Sequence, residues 1–381
     1  MSEPRIPSLL YGEIEEELRA TLRELLRDRC AWHDVLARID TDEAYDDGLW
    51  KAVAAELGLA GLLIPEEFGG AGAGPREAAV ALEELGRAVA PVPFLASAVL
   101  ATSALLASPA SAARDAALRA LADGTRTGTL AVTATTWPGA AFPLSVTGTF
   151  DPDGLVLTGA VTGVLAADRA DLLVVPVVVD GAPHLALVAG DAANLIRRGL
   201  TSLDATRPVG ELTLDQVRAD VLAGPETAEA ALGAALRHGA ALLASEQLGV
   251  AQQALDEAVS YLKVRHQFGR PIGSFQALRH RAADLWSDIA AARAAARYAA
   301  ACLAEDSPDV AVATALAQAY CGEVAVRTAE ECVQLHGGIG FTWEHPAHLY
   351  LKRAMASALL LGTADRHRST LSALVDLPPA I

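Results

Sequence analysis

Three zones of the chain differ in how hydrophobic and polar residues alternate along them. In residues 9–122, apolar positions recur every three to four residues among many Ala, Leu, Glu and Arg residues, and this pattern predicts helices. A glycine-rich stretch between Pro65 and Pro75 predicts a loop. Examples of these predicted helices are Glu13–Cys30, Ala44–Leu57, Pro75–Ala88 and Pro93–Leu106.

The middle zone, residues 126–222, consists of short runs rich in Thr, Val and Gly that are separated by turn signals. Leu172–Val179 and His184–Val188 flank such a turn and predict a β-hairpin. Pro176 has no backbone N–H to donate, so it predicts an edge or a bulge in the first of these strands. The zone as a whole predicts a small β-barrel or sandwich.

The helical pattern returns at Glu226 and predicts four long helices. The first contains Leu236 to Leu262, the second runs from about Ser274 to Glu305, the third ends near Leu335 and the fourth begins near Trp343. We therefore expect an α+β protein of several domains. The expected domains are an N-terminal helical domain (1–125), a middle β-barrel (126–222) and a C-terminal four-helix bundle (223–381).

Composition and charge restrict the classes of partner. The chain has 381 residues, 52% of them hydrophobic, and a formal net charge of -17. Nucleic acid is excluded as a partner class because its phosphates need a basic face, whereas a small phosphorylated ligand needs only local basic groups.

The chain carries no sign of a membrane, an export signal or a metal site. Its apolar runs end before the ~18 residues that a membrane span needs, and Met1–Pro4 do not open a signal peptide. The four cysteines lack metal-ligand spacing. We expect a cytoplasmic protein without a metal.

A basic segment stands out against the acidic background. Residues 258–283 contain no Asp or Glu, yet they contain five cationic side chains and two histidines. Such a segment suits an anionic ligand, and a solvated helix face or interdomain salt bridges would explain it as well. The cationic residues are Lys263, Arg265, Arg270, Arg279 and Arg281.

A second candidate for anion binding follows the third predicted helix of the last zone. Gly337 and Gly338 lack a Cβ, so a pyrophosphate could approach their backbone closely, although a pair of glycines also commonly ends a helix. His336 taken alone is more typical of a packed or capped histidine than of a ligand-binding one.

Together these segments resemble the acyl-CoA dehydrogenase family, over nearly the whole chain. Trp50 and Pro65–Gly72 are similar to the family's N-terminal domain. The resemblance implies an FAD-dependent dehydrogenase fold with a helical domain, a β-barrel and a four-helix bundle, assembled as a tetramer. It also implies that seven residues contact the ADP half of a neighbouring subunit's FAD: Arg265, Gln267, Phe268, Gln276, Gln334, Gly337 and Gly338.

The resemblance also shows what this chain lacks. The family's catalytic base is a glutamate, either directly before a Gly-Thr pair or early in the first bundle helix. Leu361 and Gly239 stand at those two positions, and no Glu lies between Pro346 and Ile381. Glu246 is about 10 Å along the helix from Gly239, and an interhelix polar contact is the better interpretation of it.

The segments that hold the flavin ring in the family also differ here. They correspond to Val132–Gly139 and Gly159–Leu165, where Gly163 and Leu165 stand in place of an aromatic residue and a hydroxyl residue. The ADP contacts are thus retained, while the ring cradle and the base are not.

This combination resembles the base-lacking subunit of heteromeric acyl-CoA dehydrogenases that act in actinobacterial steroid side-chain breakdown. It implies a catalytic partner subunit in an α2β2 heterotetramer, an acyl-CoA substrate and an electron-transfer flavoprotein as electron acceptor. Two alternatives stay open. One is a self-sufficient homotetrameric flavoenzyme with a non-standard base or chemistry, and the other is an acyl-thioester-binding protein without a redox role.

Overall fold

A computed structural model describes residues 7–41 and 43–377 of the chain. Two π-helical segments, Ala52–Glu56 and Leu95–Ala101, accompany the α-helices. The α-helices within the described residues are α1 (Glu13–Arg29), α2 (Trp32–Ile39), α3 (Asp47–Lys51), α4 (Pro75–Arg87), α5 (Thr102–Ala107), α6 (Ala112–Ala122), α7 (Ala228–Val264), α8 (Gln276–Ala304), α9 (Val310–His336), α10 (Ala347–Ser357) and α11 (Ala364–Leu374). The strands are β1 (Gly128–Leu130), β2 (Val146–Asp151), β3 (Gly154–Leu165), β4 (Leu172–Val179), β5 (Ala182–Ala189), β6 (Leu195–Leu200), β7 (Val209–Ala223), β8 (His266–Gln267) and β9 (Arg270–Pro271).

The chain divides into two compact units, each built from separate stretches of sequence. The first, here called the helical unit, consists of Met1–Thr41, Pro75–Ala90 and Ala241–Ile381. The second, the barrel unit, consists of Asp42–Gly74 and Pro91–Ala240. The three-domain boundaries expected from the sequence stay a prediction.

Seven strands of the barrel unit form one sheet that closes on itself. The pairings β4–β2, β2–β3, β3–β7, β7–β5 and β5–β4 complete a ring of five strands, and β1 and β6 add to β4 and β7. Side chains of alternate residues fill the interior, among them Val146, Leu157, Val177 and Leu212, which are fully buried. The predicted β-barrel is confirmed.

The predicted hairpin in the barrel is also confirmed, because β4 and β5 pair antiparallel. Pro176 faces Leu185 of β5 without any register shift. Along its other edge, β4 pairs with β1 at Leu172–Val174 and with β2 at Val178 and Val179. Pro176 therefore lies in the gap between two partner strands, where the missing N–H interrupts no continuous ladder.

The predicted helices before the barrel are found, with different boundaries. The predicted start of the helix Ala44–Leu57 was wrong, because α3 begins only at Asp47. Asp46 caps this helix: its side chain accepts a hydrogen bond from the backbone N–H of Leu49 at 2.9 Å. Helices α2 and α6 also lie within residues 9–122, the zone that was predicted to be helical.

In the helical unit, α8, α10 and α11 all pack against α9. The single fourth helix predicted from Trp343 onward was wrong, because the chain leaves the helix after Ser357 and enters α11 only at Ala364. Leu361 and Gly362 have positive φ angles of 55° and 105°, which are incompatible with a continuing right-handed helix. The position expected to hold a base therefore lies in a turn between α10 and α11.

Candidate functional site

A groove of about 580 Å³ opens on the surface of the helical unit. Its walls come from the end of α7, the β8–β9 hairpin, the start of α8 and the end of α9. It brings together two segments that are about 70 residues apart in sequence. Five of the seven residues predicted to contact FAD line it: Arg265, Gln267, Gln334, Gly337 and Gly338.

The hairpin that carries Arg265 and Gln267 has a two-residue turn. Phe268 and Gly269 have φ angles of 53° and 73°, and two successive positive angles match the twist of a tight hairpin. Phe268 at this turn is 90% exposed. Gln276, the first residue of α8, is exposed too. Phe268 and Gln276 belong to the same segment as the groove but do not form its described lining.

The glycine pair forms the opposite wall of the groove. Helix α9 ends at His336, and Gly337 follows with a φ of 61°. A Cβ built at Gly337 or at Gly338 would meet no atom within 4 Å. Close packing within the described chain therefore does not require glycine at Gly338, and the open backbone there can receive a ligand.

The cationic groups of the basic segment have different roles. Arg281 forms an ion pair with Glu331 (2.6 Å), and the guanidinium of Arg270 lies 4.1 Å from the centre of the Phe275 ring. The exposed side chain of Arg265 forms no hydrogen bond or ion pair with any residue that the structure describes. Arg265 is thus available to an anionic ligand in the groove, whereas Arg281 follows the salt-bridge interpretation.

These residues fit the ADP half of FAD. A pyrophosphate needs hydrogen-bond donors and cations next to backbone without side chains. Arg265, Gln267 and Gln334 supply the donors, and Gly337 and Gly338 supply the open backbone.

The two positions expected to carry a base hold no carboxylate. Leu361 is only 1% exposed, and its carbonyl oxygen accepts a hydrogen bond from Nε2 of the buried His367 at 2.9 Å. Gly239 is buried within α7. Neither position offers a group that removes a proton.

Glu246 does not replace the missing base. It is 2% exposed, accepts a hydrogen bond from Ser357 Oγ at 3.2 Å and lies 3.8 Å from Arg353 Nη1. Because its charge is compensated by a buried arginine, the carboxylate serves as the interhelix contact that its position predicted.

The barrel unit does not supply a flavin-ring cradle of the expected kind. Gly163, at the position of the expected aromatic residue, has a φ of 71° and lies at a register shift between β3 and β7. A bulky side chain would be strained in that conformation. Ala134 N donates to Gly163 O at 2.9 Å, so the loop of the other predicted ring segment pairs with this bulge.

Three aromatic side chains at the groove were not among the predicted site residues: Tyr261, His336 and His345. Tyr261 lines the groove, and its ring centre lies 4.5 Å from that of His336. The ring of His345 is tilted against that of His336, with ring centres 4.0 Å apart. Burial lowers the pKa of His336, and burial together with the neighbouring His336 and His348 lowers the pKa of His345 to about 4. No regular spacing in the sequence signals this aromatic stack.

Comparison with known proteins identifies the fold. Residues 12–125 match the acyl-CoA dehydrogenase N-terminal domain, and residues 229–375 match the acyl-CoA dehydrogenase C-terminal domain. The chain belongs to the acyl-CoA dehydrogenase family. Members of this family are FAD-dependent oxidoreductases, so the predicted family, fold and cofactor class are confirmed.

Individual relatives cover almost the whole chain. Acyl-CoA dehydrogenase IpdE2 of Mycolicibacterium smegmatis is 36% identical over 366 residues, which are 96% of this chain and 99% of the relative. A variant of the Tcur3481-Tcur3483 steroid ACAD is 33% identical with a TM-score of 0.83 and covers 97% and 99% of the two chains. The ChsE4-ChsE5 complex from Mycobacterium tuberculosis is 27% identical with a TM-score of 0.87 and covers 98% and 100%.

The described helices do not meet the requirements of a membrane-spanning helix. Among the described residues, none of the helices combines the length and the apolar character that crossing a bilayer requires.

Proposed function

We propose that this chain is the base-lacking subunit of a heteromeric acyl-CoA dehydrogenase. In this proposal it combines with a catalytic partner subunit in an α2β2 heterotetramer and completes the partner's FAD site. The observation that carries the proposal is a groove lined by five of the predicted ADP-contact residues, in a chain that has Leu361 and Gly239 at the two predicted base positions.

The exposure of the groove supports a site shared with a second subunit. Phe268 at the hairpin turn and Phe341 after the glycine pair are 90% and 77% exposed. Large apolar side chains at such exposure are typical of surfaces that a partner covers. Arg265 and Gln334 project from the same surface without internal partners among the described residues, as side chains that reach a neighbouring subunit's ligand would.

In the proposed complex the two chains have different tasks. FAD, when bound, accepts the hydride that leaves the acyl thioester. This chain binds the pyrophosphate with Arg265, Gln267 and the open backbone of Gly337 and Gly338, and it orients the ADP half. The base and the ring cradle come from the partner, because the residues of this chain at those positions do not fit either task.

The relatives suggest the substrate class. Two of the solved structures with more than 25% identity are described as a steroid ACAD of two named components and as a two-component complex. We infer that the substrate is an acyl-CoA thioester, with the steroid side-chain class as the first to test. An electron-transfer flavoprotein is the acceptor that the family resemblance implies. The described cysteines are buried free thiols, which supports a cytoplasmic location.

Replacing Arg265 by alanine in the co-purified complex tests the proposed contact. We expect the fraction of FAD retained after gel filtration to fall, because a charge-assisted contact to the pyrophosphate is worth about 1.5–3 kcal/mol. Lys263→Ala is the matched control, since Lys263 is exposed, lies two residues away and does not line the groove. If both variants retain the same fraction of FAD, Arg265 does not have the proposed role.

A further inference from the structure

One ring nitrogen of His336 has no hydrogen-bond partner. Its Nδ1 lies 2.7 Å from the carbonyl oxygen of Cys332. A carbonyl only accepts hydrogen bonds, so Nδ1 carries the proton and donates it. In the neutral ring Nε2 must then be an acceptor, and no described residue donates to it.

This acceptor is buried rather than solvated. His336 is 3% exposed and nevertheless belongs to the lining of the groove. A buried acceptor left without a donor loses its bond to water and gains nothing in return, so a donor from a bound molecule would be favourable. Burial also lowers the pKa of His336, which keeps the ring neutral and Nε2 an acceptor near neutral pH.

The ring is held in a fixed orientation. The ring centres of Tyr261 and His345 lie 4.5 Å and 4.0 Å from that of His336, and the Cys332 carbonyl accepts the hydrogen bond from its Nδ1. Because these contacts restrain the ring, Nε2 keeps one direction, as a preorganised binding group must.

The chemistry of Nε2 differs from that of its neighbours in the groove. Arg265 is a donor only and suits phosphate oxygens, while Arg281 is paired with Glu331. A neutral Nε2 is an acceptor only, so it suits a polar hydrogen on the ligand. The ADP half of FAD carries such hydrogens on its ribose hydroxyls and on the adenine amine.

We infer that His336 is a specificity-determining residue of the groove, whose Nε2 accepts a hydrogen bond from a polar hydrogen of the adenosine part of the ligand. This inference rests on the proposed function, because it takes the groove to be the ADP site. It adds a contact from His336 to the adenine or the ribose, beyond the seven residues predicted to contact the ADP half.

The test uses this chain in its flavin-free complex with the base-containing partner subunit, and isothermal titration calorimetry with ADP, 2′-deoxy-ADP, 3′-deoxy-ADP and inosine 5′-diphosphate. His336→Phe keeps a flat ring next to Tyr261 and His345 but removes the acceptor. We expect it to weaken ADP binding about 2- to 10-fold, the range for one hydrogen bond. For the analogue that lacks the donated hydrogen, we expect the same variant to bind as well as the unaltered chain does.

Each outcome decides between the hypotheses. If His336→Phe weakens ADP and all three analogues by the same factor, His336 acts through packing and the inference is wrong. His336→Gln, which restores an acceptor, should recover part of the affinity for ADP. If the variants do not fold, the unaltered chain must still bind one analogue more weakly than ADP, and equal binding of all four ligands would overturn the inference.

The same titrations separate this inference from the proposed function. ADP binding that falls in Arg265→Ala but not in His336→Phe would leave the ADP groove intact and reject only the role of His336. Absence of ADP binding by the unaltered complex at millimolar concentration would reject both.

Discussion

At the scale of single residues, Leu361 stands where the family resemblance predicts the catalytic base. Its side chain is buried, its backbone is left-handed at a φ of 55°, and its carbonyl is fixed by His367. A leucine seldom adopts this conformation, so the surrounding turn imposes it. The leucine side chain in this turn has no proton-transfer chemistry.

Leu361→Glu tests whether a base alone would restore activity. We expect no acyl-CoA oxidation by the lone variant, because the ring cradle is absent as well. We also expect a loss of about 1–3 kcal/mol in the free energy of unfolding, since a carboxyl replaces a side chain that is 1% exposed. Activity assays and thermal unfolding measure the two effects.

Leu361→Met is the matched control for that variant. It conserves volume and polarity, and it should cost less than about 1.5 kcal/mol. A stable Leu361→Glu variant that oxidises acyl-CoA without a partner would contradict the half-site account.

The sequence predicted some individual residues well and others not at all. Glu246 was expected to be an interhelix contact, and its contacts with Ser357 and Arg353 confirm that. The left-handed backbone at Leu361 was not predictable, because leucine carries no local preference for it. The tautomer of His336, in which Nε2 is an acceptor, is set by the hydrogen bond from Nδ1 to the Cys332 carbonyl. No residue pattern in the sequence reveals that backbone contact.

At the scale of elements, α4 and α7 pack at backbone distance in the helical unit. A Cβ at Gly249 would lie 1.9 Å from the carbonyl oxygen of Glu83, and a Cβ at Gly86 would lie 2.4 Å from that of Glu246. The two glycines therefore fix how closely the helices approach, because the obstructing atoms are backbone and cannot rotate away.

Gly249→Ala should therefore destabilise the protein despite the better helix propensity of alanine. We expect a loss of about 1–3 kcal/mol, the usual cost of overpacking, seen as a lower midpoint in thermal unfolding. Gly233→Ala in the same helix is the control, because a Cβ at Gly233 meets nothing within 4 Å. That variant should gain up to about 1 kcal/mol. A Gly249→Ala protein as stable as Gly233→Ala would refute the close contact.

Element types were more predictable than their ends. Periodicity located the long helices and the barrel hairpin, because burial of one face dictates the spacing of apolar residues. It joined α10 and α11 into one helix, since the intervening Leu359, Leu360 and Leu361 continue the apolar pattern. It also did not reveal the π-helix Ala52–Glu56, whose residues are ordinary helix formers.

At the scale of the whole molecule, the family was predictable because several short segments agree along nearly the full length. The closed barrel and the groove depend on long-range pairing, such as the meeting of Arg265 with Gln334. Spacing in a single sequence cannot supply such contacts, and only the family resemblance linked those two segments. The net charge of -17 excluded nucleic acid, while the local basic segment still permitted an anionic cofactor.

The most direct test of the central claim is the amount of flavin per chain, read from the visible absorption spectrum. The chain would be purified alone and then with a co-expressed, base-containing acyl-CoA dehydrogenase subunit encoded next to it. We predict no bound flavin in the lone chain, and both flavin and acyl-CoA oxidation in the complex. Stoichiometric flavin in the lone chain would contradict the account and indicate a self-sufficient flavoenzyme, while absence of flavin in both preparations would indicate a protein without a redox role.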